Sequence, residues 1–159
     1  MFPPGIRLGN RVDHVIWIAK PENAANIVQQ LTELFRAQFD KREGAKAGAG
    51  FDVWVAWGGG LEVVAPYATG PGVSEVFYEH LQTRGEGFWG LVYGVDNLEE
   101  AIDHARALGW PARSPNPRPP EAALHHWTTT VLEVREAVIG EILGVNLLFG
   151  KITYAEAPT

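Results

Sequence analysis

One strand-then-helix unit occurs twice in this chain, and that repeat limits the available folds more than any other feature. Residues 12–18 alternate as a strand and 21–36 follow with a helical apolar pattern. Residues 88–95 and 97–108 repeat the pair, and β-rich sequence follows each copy. The helical stripe of Ala24, Ala25, Val28 and Leu31, continued by Ile27, Leu34 and Phe35, returns as Ala101, Ile102, Ala105 and Leu108. Two copies of a supersecondary unit whose sheets complete each other predict an α+β fold of two βαβββ modules around a cavity, where small ligands usually bind. The modules are expected at 1–70 and 87–159, joined by a linker helix within 71–86, all in one compact domain.

The remaining elements follow from local signals. Pro21 opens the first helix and the glycine turn Gly58-Gly59-Gly60 joins strands 51–57 and 61–66 as a hairpin. Lys41 to Gly50 reads as a mobile loop. Ser74 caps a short helix with Val73, Val76, Phe77 and Leu81 on its apolar face. Asp96 or Asn97 caps the next helix, with Glu99 or Glu100 completing a capping box, and Gly109 stops it. Five prolines between Trp110 and Glu121 predict a loop or lid. Residues 124–133 and 145–152 read as strands, with no element assigned to the intervening 135–144.

Two apolar runs carry the ionisable groups of interest. Val12-Asp13-His14-Val15-Ile16-Trp17-Ile18 holds His14, and Leu61-Glu62-Val63-Val64-Ala65-Pro66 holds Glu62. Buried strands seldom carry ionisable side chains without a partner, because desolvation of a lone charge is costly. If the runs lie side by side, an imidazole and a carboxylate face one space and suit proton transfer or metal binding.

Composition excludes several function classes. The net charge of −6 argues against nucleic acid or an anionic membrane as partner. There is no cysteine, which removes disulfides, thiolate metal sites and cysteine nucleophiles. The N-terminus lacks the basic and apolar regions of a signal peptide, and no apolar run reaches the ~18 residues a membrane helix needs, so a cytoplasmic protein is expected. Gly85 to Gly90 spells G-x-G-x-x-G but precedes a strand, where a dinucleotide fingerprint joins a strand to a helix. No G-x-S-x-G motif supports a serine triad.

Taken with the βαβββ repeat, Asp13-His14-Val15, Leu61 to Pro66 and Gly85-Glu86-Gly87-Phe88-Trp89-Gly90 resemble the vicinal oxygen chelate superfamily, in its epimerase-like and glyoxalase-like branches. The resemblance implies a divalent metal on four side chains, two per module. His14 and Glu62 match two of them. Gly90 (or Trp89, if the register slips) and Leu148 stand at the other two, and neither Gly90 nor Leu148 has a ligating side chain. A metal therefore needs His125 or His126, or the protein works without one. Asp52 is placed like a catalytic carboxylate of the epimerase branch.

Two readings of function follow. The first is an isomerase, epimerase or lyase that moves a proton next to a carbonyl, with Glu62, His14 and Asp52 as the acid–base groups. Trp54, Tyr93, His125 and His126 are its expected substrate-binding residues, in a homodimer that takes a small hydrophobic or aromatic ligand. The second is a metal-free binding protein of the bleomycin-resistance kind. A third class, an interaction protein, predicts a cavity filled by the chain's own side chains. Arg113 and Arg118 in the proline-rich segment are weaker candidates for an anionic group, and His80 and His104 read as surface residues.

Overall fold

The computed structural model describes residues 8–9, 11–44, 50–68, 73–115 and 131–155. Two compact units emerge, one running from His14 to Gly90, the other combining residues up to Asp13 with those from Leu91 onward.

In the 14–90 unit the strand order is β2 (Asp40–Arg42), β3 (Phe51–Ala56), β4 (Leu61–Pro66), β1 (Arg11–Ile18) and β5 (Gly87–Gly94), the last two belonging to it in part. β1 and β4 run parallel, with Val15 opposite Leu61 and Ile18 opposite Val64. A crossover helix makes this possible. α1 (Pro21–Phe35) begins with Pro21, whose fixed φ suits the first turn and whose missing N–H costs nothing there. No side chain of the cap residue Lys20 closes the helix start. Glu86 does so from 66 residues away, accepting from the Lys20 N–H at 2.8 Å and from Asn23 Nδ2 at 3.0 Å, a carboxylate at the positive end of the helix dipole.

Ala24, Ile27, Val28 and Leu31 pack on Ala19, Val63, Ala65 and Trp54, and small Ala24 lets the helix approach the sheet closely. Ala25, Leu34 and Phe35 were expected in that stripe and are exposed instead. The segment read as a loop from Lys41 begins inside a short strand. β2 pairs Lys41 with Trp54, and the Lys41 ammonium lies 5.2 Å from that ring's centroid. α2 (Val73–Arg84) buries Phe77 and Leu81 as expected, whereas Val76 is exposed.

In the second unit the order is β1, β5, β7 (Val145–Tyr154) and β6 (Val131–Ile142). β6 does not end at Glu133. It continues through the unassigned stretch to Ile142 and turns through Leu143 and Gly144, both at positive φ, into β7. Gly140 sits within β6 because Trp110 lies against it, so that a Cβ there would stand 2.8 Å from the indole. α3 (Leu98–Ala107) is capped by Asn97, which accepts from the Glu100 N–H at 3.2 Å. Its buried residues Leu98, Ala101, Ile102 and Ala105 meet Ala112, Ala137 and Ile139. Leu108, expected in the stripe, is the exposed C-cap residue, and Gly109 follows at φ 86°.

Candidate functional site

Parallel pairing of β1 and β4 sets Ile16 opposite Glu62 and leaves His14 two residues earlier on the same face. His14 Nε2 lies 3.1 Å from Glu62 Oε2. The contact is at ion-pair distance. The imidazole is 3% exposed and the carboxylate 15%, so Glu62 is the member that solvent or a ligand reaches. Alternation adds Ile16, Ile18, Val64 and Pro66 to this face, with Phe51, Val53 and Val55 from β3. Apart from the intermediate Phe51, these neighbours are buried. In such surroundings little water screens the pair. The arrangement keeps an acid and a base in contact, with one of them open to the outside.

Asp52 does not join them. It faces Ala65, and strand alternation puts it on the α1 side of the sheet, away from Glu62. Trp57 is the reason. The hairpin pairs Ala56 with Leu61, so the loop holds Trp57 together with the three glycines. A loop of the glycines alone would have brought Asp52 to the Glu62 face. Buried Asp52 instead accepts from the Tyr67 hydroxyl at 2.9 Å. Burial raises the Tyr67 phenol above its ordinary value, and the hydrogen bond to Asp52 and the charges of Asp52 and Glu43 add to the shift. Tyr67 went unnoticed in the sequence. Its signal was its place directly after Pro66, across the hairpin from Asp52.

Trp54 likewise belongs to the α1 face. Tyr93 donates its hydroxyl to the Gly9 carbonyl at 2.9 Å and packs on the α3 core, a role in holding the chain's early segment. Arg113 contributes its backbone N–H to the Val138 carbonyl. His125, His126 and Arg118 lie outside the described residues.

Two donors, His14 and Glu62, stand where a metal was implied. Leu148 is buried and cannot ligate, Gly90 has no side chain, and no group of three His, Asp or Glu residues with metal-binding geometry occurs among the described residues. A catalytic zinc wants about three protein ligands and harder cations want more, so the described residues do not fit a metal by themselves.

A separate polar cavity of about 180 Å³ lies in the second unit, lined by Arg11, Asp13, Gly94, Val95, Asp96, Gly150 and Ile152. Asp13 accepts from the Tyr154 hydroxyl at 2.9 Å and from Arg11 at 3.2 Å, and Arg11 lies over the Tyr154 ring.

No family model matches this sequence, and no curated protein does. Solved structures do match. A hypothetical protein from Bacillus halodurans superposes with a TM-score of 0.67 at 16% identity, over 94% of this chain and 98% of that one. Methylmalonyl-CoA epimerase from Mycobacterium tuberculosis gives 0.63 at 17% identity, over 97% and 93%. A variant of the Streptomyces coelicolor methylmalonyl-CoA epimerase, in complex with 2-nitronate-propionyl-CoA, gives 0.65 at 15%, over 96% and 100%. With three helices and seven strands among its described residues, the chain has the vicinal oxygen chelate fold. More particularly, it has the fold of methylmalonyl-CoA epimerase, at identities too low to carry an activity across. No described helix is long and apolar enough to cross a membrane.

Proposed function

We propose that this protein is a small-molecule isomerase, epimerase or lyase that moves a proton on the carbon next to a carbonyl, with Glu62 as the proton-transfer group and His14 as its partner. The observation that carries the reading is the 3.1 Å contact between His14 and the more accessible Glu62 on an apolar sheet face. In the proposed step the Glu62 carboxylate takes the proton, the C–H electron pair moves into the new C=C bond, and charge gathers on the carbonyl oxygen. Delivery of a proton from solvent to the opposite face of that carbon completes an epimerisation, delivery to another carbon of the conjugated system completes an isomerisation, and loss of a β-substituent gives a lyase. Low polarity around the pair strengthens its hold on that charge. Two structural neighbours are methylmalonyl-CoA epimerases in complex with methylmalonyl-CoA and with 2-nitronate-propionyl-CoA, ligands that both place an acidic or anionic carbon beside a carbonyl. The same proposal includes a homodimer and a cytoplasmic setting.

A metal-free binding protein is the second reading, favoured by the absence of a three-donor group among the described residues. Incubation of the purified protein in D2O with acyl-CoA thioesters and simple ketones separates the two. Deuterium appearing at the carbon next to the carbonyl, faster than in buffer, is the expected result; tight binding with no exchange across the panel would leave only the binding protein.

A further inference from the structure

Each unit closes the end of the strand that precedes its helix with the same hydrogen bond, and fills the space beside it differently. Past β1 the Ala19 N–H donates to the Val64 carbonyl, and past β5 the Val95 N–H donates to the Gly150 carbonyl, both at 2.9 Å. In the 14–90 unit the residue before the donor is Ile18, which lies opposite the acceptor Val64. The two are 2% and 0% exposed. In the second unit the same two places hold Gly94 and Gly150, and both glycines line the polar cavity of about 180 Å³.

Packing explains Gly150, because a Cβ there would overlap a methyl group of Val92. It does not explain Gly94. That residue lies outside the left-handed region, and an added Cβ would make only ordinary contact, 3.5 Å from the Arg11 side chain. Glycine inside a strand is less stable than alanine, so its presence at 94 has a cost with no return in the fold. What Gly94 preserves is the open volume.

The lining defines what can fill that volume. Asp13 lies deep, its side chain 3% exposed, and accepts from Arg11 and from the Tyr154 hydroxyl. Arg11 offsets the Asp13 charge. Asp96 is exposed and forms no ion pair among the described residues, so the cavity carries one excess negative charge. Val95 and Ile152 add short apolar walls. A metal dication is a poor fit, since Arg11 stands in the lining and hard cations want six or more oxygen ligands. An ammonium group needs a single opposing charge, and a short alkyl chain suits Val95 and Ile152. The volume holds roughly six waters at ~30 Å³ each, less than an ordinary ligand pocket, which limits the ligand to a few non-hydrogen atoms.

We propose that this cavity is a second binding site, for a short primary ammonium group, with the charged head on Asp96 and the alkyl chain along Val95 and Ile152. It is separate from the His14–Glu62 pair and stands whether or not that pair transfers protons.

The test is an amide-resolved NMR titration of the intact protein with n-propylammonium chloride. Potassium chloride at equal ionic strength and sodium propionate, an anion of similar shape, are the controls. Saturable shifts centred on Gly94, Val95, Asp96 and Gly150 are expected with the ammonium ion and with neither control. Nα-acetyl-lysine methylamide, titrated in parallel, separates a free amine from a lysine side chain as the source of the head group, and the tighter ligand names it. Asp96→Asn should weaken binding about tenfold, the low end of what a charge-assisted hydrogen bond contributes. Gly94→Ala narrows the cavity without straining the backbone. It should weaken binding by a similar factor while melting no lower than wild type. No saturation with either amine, equal shifts with potassium chloride, or wild-type affinity in either variant overturns the proposal.

Discussion

His14 and Glu62, 48 positions apart in sequence, meet at 3.1 Å because two parallel strands bring them to one sheet face. Parallel neighbours need a crossover, and α1 with the following hairpin provides it. The pair depends on that topology and on no local motif.

If the two residues act as a unit, removing either disables the same step. His14→Asn and Glu62→Gln should each lower the rate of deuterium exchange, and the double variant should be little worse than the poorer single. Rate constants for the three proteins check this. Effects that multiply would show that the residues work independently.

Tyr67 gives the fold a signature at alkaline pH. Its folded-state value lies above the ordinary 10.0, chiefly through burial and then through the hydrogen bond to Asp52. The neutral phenol is favoured by folding, so this contribution is fully present below pH 10.0 and is lost as pH rises through the raised value. Tyr67→Phe should lower stability by about 1–2 kcal/mol at neutral pH, since buried Asp52 loses a donor. It should also flatten the decline above pH 10.0. Urea unfolding across pH measures both effects.

Gly9 passes so close to β5 that a Cβ there would fall on the Gly94 carbonyl oxygen, which is backbone and cannot step aside. Gly9→Ala is expected to cost about 3 kcal/mol and to disturb the Tyr93 hydrogen bond to the Gly9 carbonyl. Thermal unfolding reads the first effect. A melting temperature equal to wild type would mean that the segment is not seated as described.

Leu143 is the opposite case, a residue the fold tolerates at a penalty. It is 98% exposed and sits at φ 51° in the two-residue turn between Ile142 and Val145. Leu143→Asn creates the Asn-Gly pair such turns prefer and should stabilise the protein by about 1 kcal/mol, seen as a higher melting temperature.

Much of this was legible from periodicity. Helices α1 and α3, the β3–β4 hairpin and β5 follow apolar spacing and turn glycines, and the repeat pointed to the fold. β6 was partly hidden because Gly140 and the charges Glu133, Arg135, Glu136 and Glu141 interrupt the alternation, Glu133 and Arg135 even on the face of Ala137, which packs on α3. Leu34, Phe35 and Leu108 show a different limit. The helical pattern predicts which side of a helix is apolar, not where the sheet beneath it ends. At the site, His14 and Glu62 were readable because a buried charge demands a partner. Where Asp52 faces could not be read, because a single loop residue, Trp57, sets the hairpin register and puts the carboxylate on the other face. Trp54 and Tyr93 illustrate that aromatic residues on strands more often fill core than line a site.

The central claim rests on one carboxylate, and Glu62→Gln tests it most directly. The amide keeps the shape of the side chain and removes its basicity. With wild-type and Glu62→Gln proteins of matched melting temperature in D2O, the account predicts deuterium incorporation next to the substrate carbonyl for the first and a loss of at least about a hundredfold for the second. Exchange at the wild-type rate in the variant would contradict it.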